Sequence, residues 1–205
     1  MSHNIDKIIY INLQKRPDRR NEIETELTNF GLVGERFEAI NVDDFGIVGC
    51  MKSHLSVLKL AKLNGYKNIL ILEDDFMFTV SKESFESSLS LFFEFKPTFD
   101  VCMLSYGLPK CEETEEASIR KVLTAQTASG YIVNKNYYDK LIELYEWASP
   151  LLEQTRQHWI YANDQIWKQL QEKDNWYLFT ERIGKQRPGY SNCDYGTSVF
   201  VDYGC

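Results

Sequence analysis

The segment NILIL at residues 68–72, followed at once by Glu73-Asp74-Asp75, carries the strongest strand pattern in the chain. A short run that is apolar at every position indicates a strand buried on both faces, as in a parallel sheet. Ligands of such sheets bind beyond the carboxyl ends of the strands. The segment therefore predicts a parallel sheet and also the edge of that sheet where the chemistry lies.

Strand and helix patterns alternate on both sides of this segment. Apolar β-branched runs indicate strands, and apolar residues at helical spacing indicate helices. The predicted order is strand Lys7–Leu13, helix Pro17–Phe30, strand Arg36–Ile40, helix Val48–Asn64, strand Asn68–Leu72, a helix capped by Ser81 that reaches Phe95, and strand Phe99–Leu104. This order predicts an α/β fold with a mostly parallel sheet and helices on both faces.

The second half of the chain has a less regular pattern. Its acidic stretch Cys111–Ser118 predicts an exposed loop, and Pro150 predicts the end of a helix. The other predicted elements are one or two strands in Val122–Val133 broken near Ser129-Gly130, helix Asn136–Ser149, helix Asp164–Glu172 capped by Asn163, strand Trp176–Thr180, and an irregular tail from Gly184.

Composition narrows the class of protein. The 205 residues have a net charge of −7 and are 43% hydrophobic, which suits one globular domain and argues against nucleic-acid or anionic-membrane binding. The apolar runs are too short to span a bilayer, and the start of the chain lacks a signal-peptide pattern. Five cysteines without a CxxC spacing argue against a structural zinc site and favour a reducing compartment, with Cys50 and Cys102 as core residues. We therefore expect a cytoplasmic protein.

The acidic cluster predicts a cation site. If the chain stays extended, Glu73 and Asp75 point to one side, about 7 Å apart at Cα, and Asp74 points to the other. Two carboxylates on one side can share Mg²⁺ or Mn²⁺, and Asp74 can accept a hydroxyl such as that of a ribose. The alternative is a solvated acidic turn. A second pair, Asp43-Asp44, is interpreted as a turn.

Polar and basic groups follow the first strand. Asn12 ends that strand, and Gln14–Arg20 contains Arg16 and Arg19, which can pair with phosphates. The alternative is the basic first turn of an exposed helix. The chain has no GxxxxGK[ST] and no GxGxxG after the first strand, which argues against P-loop NTPases and dinucleotide-dependent dehydrogenases.

Three blocks together resemble the family 25 glycosyltransferases, which include bacterial lipooligosaccharide galactosyltransferases and collagen hydroxylysine galactosyltransferases. The blocks are INLQKRPDRR at 11–20, GIVGCMKSH at 46–54 and ILILEDD at 69–75. Later segments are similar to further family blocks: TASGYIVNKNYYDKL at 127–141, Asp164 in NDQIW, and PGYSNCDYG at 188–196.

The resemblance implies a single GT-A type domain over residues 1–205. Its Rossmann-like half, at about 1–105, would bind a nucleotide-sugar, and the half at about 106–205 would bind the acceptor and carry the irregular tail. The implied reaction moves galactose or glucose from a UDP-sugar to a hydroxyl of a glycan, protein or lipid acceptor, with inversion and with Mn²⁺ or Mg²⁺ as cofactor.

The resemblance also implies roles for particular residues. The implied metal ligands are Glu73, Asp75 and Asp194, the implied donor-site residues are Asn12, Leu13, Arg16, Arg19, Ser53, His54 and Asp74, and the implied catalytic base is Asp164. Two of these roles have structural alternatives. His54 can be a buried histidine whose hydrogen bonds are satisfied within the core, and Asp164 can simply stabilise the start of its helix by interacting with the helix dipole. Trp159, Tyr161 and Trp167 are the aromatic residues expected near an acceptor cleft.

Two other functions stay open from the sequence. A metal-dependent nucleotidyltransferase shares the sheet, the carboxylates and the nucleotide, but it usually has a Gly-rich, Lys-containing loop near the first strand. A degenerate transferase that only binds nucleotide-sugars would be expected to lose the acidic cluster, which is intact here. The transferred sugar, the acceptor and the oligomeric state are not determined by these patterns.

Overall fold

The computed structural model describes residues 4–96 and 98–189. The strands are β1 (Lys7–Asn12), β2 (Glu35–Glu38), β3 (Asn68–Glu73), β4 (Phe76–Phe78), β5 (Val101–Met103), β6 (Gly107–Glu113), β7 (Ile119–Gln126), β8 (Gly130–Asn134), β9 (Trp176–Phe179) and β10 (Gly184–Gln186). The helices are α1 (Pro17–Asn29), α2 (Gly46–Leu63), α3 (Lys82–Phe95), α4 (Tyr138–Thr155), α5 (His158–Tyr161), α6 (Asn163–Ile166) and α7 (Lys168–Gln171), with a short 3-10 turn Lys135–Tyr137 before α4.

One large sheet organises these elements, in the order β2-β1-β3-β8-β5-β9-β7-β6. β1 is parallel to β2 and β3, and β5 is parallel to β9, whereas β8 and β7 run antiparallel to their neighbours. Helices cover both faces. The predicted α/β fold with a mainly parallel sheet flanked by helices is confirmed, and β8 is the strand through which the second half of the chain joins β3.

The core lies on both sides of β3, as its unbroken apolar run predicts. Ile69 and Ile71 pack into a cluster that includes residues of α2 and α4, while Leu70 and Leu72 pack into a cluster that includes residues of α1 and α3. All four side chains have no solvent exposure. Each such burial contributes roughly 1.5–3 kcal/mol to folding, so this strand holds the centre of the sheet in place.

The acidic stretch of the second half forms a strand at its start. β6 pairs with β7 at the sheet edge, where Cys111 lies opposite Val122 and Glu113 opposite Arg120. The prediction of an exposed loop over the whole of Cys111–Ser118 is therefore wrong for residues 111–113. Polar residues are tolerated in this strand because it lies at the edge of the sheet, where none of its residues is fully buried.

Helix α4 continues through Pro150, so the predicted stop there is wrong. Its apolar stripe runs from Tyr145 and Ala148 to Leu152, all of them buried. Proline removes one helical hydrogen bond, but packing of the following turn against the core compensates for that loss. The helix ends at Arg156, whose φ of 58° is left-handed.

A two-stranded ribbon, β4 with β10, lies beside the main sheet. The prediction that the chain is irregular from Gly184 is wrong for Gly184–Gln186, which pair with Phe76–Phe78. Gly184 is required there because a side chain at this position would overlap the ring of Phe76. This pairing joins residues about a hundred positions apart, so local sequence patterns cannot reveal it.

The loop after β2 packs directly on helix α2. The Ser53 hydroxyl accepts a hydrogen bond from Ile40 N at 2.8 Å and donates one to Gly49 O at 2.7 Å. A Cβ at position 49 would overlap the carbonyl oxygen of Ile40. Gly49 and Ser53, four residues apart on α2, thus hold the loop by close approach and by hydrogen bonding.

Gly49→Ala is expected to destabilise the fold by about 1–3 kcal/mol, because the overlap is with backbone and must move the loop or the helix. In an unconstrained helix the same change would stabilise by up to ~1 kcal/mol. Urea unfolding measures the difference. Gly189→Ala is the control, since a Cβ there meets nothing within 4 Å. An unchanged or raised midpoint for Gly49→Ala would contradict the prediction.

Candidate active site at the carboxyl edge of the sheet

The turns after β1 and β3 meet at one edge of the sheet. The two strands are parallel neighbours, with Ile11 opposite Glu73, so the segments that follow them leave side by side. The sequence placed Asn12, Arg19 and the acidic cluster at this edge, and the structure brings them into contact.

Arg19 binds two of the three acidic residues. Its Nη1 donates to Asp74 Oδ1 and to Asp75 Oδ2, each at 3.1 Å. The predicted alternation, with Asp75 beside Glu73 and Asp74 opposite, does not describe this arrangement, because β3 ends at Glu73 and residues 74 and 75 form a turn. Asp74 and Asp75 therefore share one guanidinium.

Asn12 is the structural link between the two turns. Its Nδ2 donates to Asp74 Oδ2 at 2.7 Å and to Arg16 O at 3.0 Å, and its Oδ1 accepts from Arg36 Nε at 3.0 Å. Asn12 is 1% exposed. These contacts favour a role in orienting Asp74, and the half-buried Leu13 follows it in the same turn.

Arg16 directly precedes α1, and its side chain is largely buried, with 18% exposure. Its guanidinium donates to both oxygens of Asp18, which lowers the pKa of that carboxyl to about 2. The alternative interpretation of a basic first helical turn fits this local pair. Arg16 also contributes its backbone oxygen to the network of Asn12.

Glu73 points to the opposite side, towards α2. Its Oε1 lies 3.0 Å from His54 Nε2 and accepts a hydrogen bond from Cys50 Sγ at 3.6 Å. Burial raises the pKa of Glu73, but the interactions with His54, Cys50 and Arg19 together outweigh burial, and the net shift of this pKa is downward. His54 Nδ1 lies 2.8 Å from Tyr131 Oη, and His54 has no exposure, so it is a satisfied buried histidine that also orients Glu73.

Cys50 is the member of this group that sequence reasoning missed. We expected a core residue, but Cys50 is half-buried and its thiol faces Glu73. The available signal was the four-residue spacing of Cys50 and His54, which places both on one face of a helix. Ser53, predicted for the donor site, is fully buried and holds the loop after β2, as described above.

The carboxyl group of Asp75 has a buried oxygen that lacks a hydrogen-bond partner among the described residues. This Oδ1 is without a partner of ordinary geometry in the part of the chain that the structure describes, while the Gln186 side chain of β10 interacts with the carboxyl group and Arg187 N donates to the backbone oxygen of Asp75 at 2.6 Å. Burial, then repulsion from Glu73, raises the pKa of Asp75 to about 7. Burial also raises the pKa of Asp74. Carboxylate oxygens suit Mg²⁺ or Mn²⁺, and a cation would supply the partner that Asp75 Oδ1 lacks, whereas Oε1 of Glu73, the other predicted ligand, is already engaged by His54 and Cys50.

Asp164 lies in the short helix α6 beside this edge. Its Oδ2 accepts a hydrogen bond from Thr127 N at 3.0 Å. We expected the helix start to lower its basicity, but burial dominates and raises its pKa, with repulsion from Glu73 adding a smaller contribution. Asn163, predicted as a cap, lies inside α6 and directs its Nδ2 towards Cys50 Sγ at 4.0 Å. The predicted single helix to Glu172 is two short ones, α6 and α7.

The three aromatic residues near Asp164 have different environments. Trp167 is fully buried between Tyr131 and Trp176, which excludes it from an acceptor surface. Trp159 is 63% exposed, and Tyr161 packs edge-on against Trp147.

Two further predictions concern positions away from this cluster. Asp43-Asp44 form a turn, as interpreted from the sequence, and pair with Lys15 and Arg156. Asp194, the implied third metal ligand, lies outside the described residues.

Comparison with known proteins supports the fold more strongly than the family. No family model matches the chain. A curated relative, "Glycosyltransferase 25 family member" of Drosophila melanogaster, is 27% identical over a match that covers 36% of this chain and 16% of the relative. The chain thus matches only a small part of that relative's length.

Two solved structures share the fold. One is a glycosyltransferase involved in the glycosylation of the major capsid of PBCV-1, with a TM-score of 0.51, 10% identity, and coverage of 91% of this chain and 94% of that chain. The other is a UDP-glucose pyrophosphorylase complexed with UDP-glucose, with a TM-score of 0.50, 8% identity, and coverage of 91% and 75%. Among the helices of the described residues, none has the length and apolar character needed to cross a membrane.

Proposed function

We propose that this protein is a metal-dependent glycosyltransferase of the family 25 kind, which transfers galactose or glucose from a UDP-sugar to an acceptor hydroxyl with inversion. The observation that carries the proposal is the contact of Arg19 with Asp74 and Asp75 at the carboxyl edge of the sheet, with Glu73 directly before them and Asp164 near enough to Glu73 for their charges to repel. The partial match to a family 25 protein and the glycosyltransferase fold support it.

The donor half of the proposed enzyme is residues 1–105, and residues 106–205 form the acceptor half. Both halves contribute to one sheet, since β8 pairs with β3 and β9 pairs with β5. We assign Glu73 and Asp75 as ligands of Mn²⁺ or Mg²⁺, with Asp194 as a third. When bound, the cation neutralises charge on the departing diphosphate.

The residues of the first turn hold and orient the donor in this proposal. The side chain of Arg19 is 13% exposed and is fixed by two carboxylates, so in this proposal its guanidinium contributes a fixed positive charge to the phosphates of the donor at little further entropic cost. Asn12 holds Asp74 in place towards the ribose or the sugar. Leu13 and Arg16 line the entrance to the same turn.

Asp164 is assigned as the catalytic base. Inversion needs a group that removes the acceptor proton on the face of the sugar opposite the leaving group. Burial has raised the pKa of Asp164, which makes its carboxylate a better proton acceptor than an exposed aspartate. Thr127 N donates to Oδ2 at 3.0 Å and Gln165 Nε2 donates to Oδ1 at 3.3 Å, so both oxygens are oriented, and the long contact with Gln165 is the one that an acceptor hydroxyl would replace. Trp159 and Tyr161 lie just before Asp164 and offer stacking surfaces for an acceptor sugar.

Donor turnover tests the proposal directly. The full chain is incubated with Mn²⁺ and a panel of nucleotide-sugars, and released UDP is measured with and without EDTA. We expect release from UDP-galactose or UDP-glucose that EDTA abolishes. A parallel reaction with UTP and a hexose 1-phosphate measures pyrophosphate. Pyrophosphate release without donor turnover would instead support the nucleotidyltransferase alternative, whose fold is shared by UDP-glucose pyrophosphorylase.

UDP is expected to raise the melting temperature when Mn²⁺ is present, because a ligand of the native state stabilises it by mass action. A hundredfold excess over the dissociation constant contributes about 2.7 kcal/mol. Differential scanning fluorimetry with UDP, ATP and GTP measures the shift. A shift with ATP or GTP and none with UDP at millimolar concentration would refute the donor assignment.

A further inference from the structure

A second cluster of metal-ligating atoms lies on the α2 side of the acidic edge. The Cys50 thiol, the His54 imidazole and the Glu73 carboxylate each offer one ligand atom, and these atoms lie within 4.8 Å of one another. Cys50 and His54 are one helical turn apart on α2, and Glu73 ends β3 opposite them. This set differs from the carboxylate site, because it contains nitrogen and sulfur donors.

The distances within the cluster fit a tetrahedral ion. Zinc bonds of about 2.0–2.3 Å to nitrogen, oxygen and sulfur place neighbouring ligand atoms about 3.3–3.6 Å apart. Glu73 Oε1 lies 3.0 Å from His54 Nε2 and 3.6 Å from Cys50 Sγ. These two distances are therefore within a few tenths of an ångström of those in a tetrahedral zinc site. The third distance, from Cys50 Sγ to His54 Nε2, can be adjusted by rotation of the half-buried Cys50 side chain.

Two neighbouring hydroxyls complete the surroundings of such an ion. Tyr131 Oη lies 2.8 Å from His54 Nδ1, so His54 can donate its Nδ1 proton there and keep Nε2 for a metal. The Tyr145 hydroxyl is buried near Cys50, Glu73 and the Tyr131 hydroxyl, and among the described residues it makes no hydrogen bond of ordinary geometry. A water bound to the ion would give this hydroxyl a partner.

We propose that Cys50, His54 and Glu73 form a binding site for Zn²⁺, with the fourth position open to water. Sulfur and nitrogen ligands select zinc over manganese or magnesium. On binding, the Cys50 thiol releases its proton to solvent and coordinates as thiolate, and the Nε2 proton of His54 that faces Glu73 also leaves to solvent, so that the imidazole binds as the neutral ring protonated at Nδ1. A further consequence rests on the proposed transferase function: zinc would compete with the donor cation for Glu73 and so inhibit turnover.

Cobalt spectroscopy tests the site without any enzymatic assay. Co²⁺ is titrated into the reduced, metal-free full chain, and the sulfur-to-cobalt charge-transfer absorption and the visible bands of tetrahedral cobalt are recorded. We expect both in the wild type, one ion per chain, and their reversal by Zn²⁺. Cys50→Ser should lose the charge-transfer band. The triple variant Cys111→Ser, Cys193→Ser, Cys205→Ser should keep it.

Tyr131→Phe separates coordination from folding. It should keep the charge-transfer band and weaken Zn²⁺ affinity about 10–100-fold, because the orienting partner of His54 is lost. A chelating dye in competition measures the affinity, and thermal melting shows that each variant is folded. Absence of the band in the wild type, its survival in Cys50→Ser, or its loss in the triple variant would overturn the proposal. Each outcome is independent of UDP-sugar turnover.

Discussion

Asp164→Asn is expected to reduce sugar transfer by about 10²–10⁴-fold, the usual contribution of a general base. The amide has nearly the same shape and can still accept the hydrogen bond from Thr127 N, but it cannot take a proton from an acceptor. UDP affinity and melting temperature should change little, because the hydrogen bonds that hold this carboxylate come from Thr127 and Gln165, which the proposal does not place at the nucleotide. Initial rates at saturating donor, with fluorimetric UDP binding, measure both quantities.

Asp139→Asn is the matched control for this substitution. Asp139 is an exposed carboxylate on α4 that pairs with Lys62. Its loss should leave turnover within about a factor of two, since exposed ion pairs contribute little. Near-normal turnover of Asp164→Asn would show that Asp164 has no catalytic role. Loss of UDP binding would show instead that Asp164 belongs to the nucleotide or metal site.

Asp75→Asn is expected to lower Mn²⁺-dependent turnover by at least about 10²-fold and to stabilise the fold at pH 8. The activity falls because a ligand of the cation, which supplies several kcal/mol to the reaction, is lost. The stability rises because Asp75 is buried near Glu73, which raises its pKa from 3.8 to about 7. A neutral amide avoids the cost of ionising that buried group.

The pH dependence of this stabilisation has a definite sign. Between about pH 4 and pH 7 the unfolded chain has lost the Asp75 proton while the folded chain retains it, so wild-type stability falls as pH rises. Each unit of pKa difference corresponds to 1.36 kcal/mol. The advantage of Asp75→Asn over the wild type should therefore grow by on the order of 2–4 kcal/mol from pH 4 to pH 8.

Urea unfolding at several pH values, with and without Mn²⁺, measures this effect. Mn²⁺ should raise the stability of the wild type at pH 8 and should stabilise Asp75→Asn much less, because the variant has lost one cation ligand. A stability advantage of Asp75→Asn that does not change with pH would show that ionising Asp75 costs the folded protein nothing. An equal response of both proteins to Mn²⁺ would show that Asp75 does not bind the cation.

Local patterns determined the central elements of this protein. The unbroken apolar run before Glu73 specifies a strand buried on both faces, and only the middle of a sheet provides that burial. Pro17 begins α1, and Ser81 caps α3 by accepting a hydrogen bond from Ser84 N. Because parallel neighbours end at one edge, the same patterns also predicted that the turn after β1 meets the acidic cluster.

The elements that the sequence missed depend on partners far along the chain. β4 and β10 are three residues each and exist only because they pair with one another. Helix α4 passes Pro150 because the next turn buries Leu152 in the core. Propensity describes a segment by itself, and in both places tertiary packing outweighs it.

Local sequence patterns specify which residues reach the edge of the sheet, whereas three-dimensional packing sets how those residues are grouped there. Strand alternation ends with β3, so the turn geometry placed Asp74 and Asp75 on Arg19 and left Glu73 to His54 and Cys50. Burial, which no local pattern specifies, raised the pKa values of Asp75 and Asp164. Desolvation depends on everything packed around a carboxyl group, and that environment exists only in the folded chain.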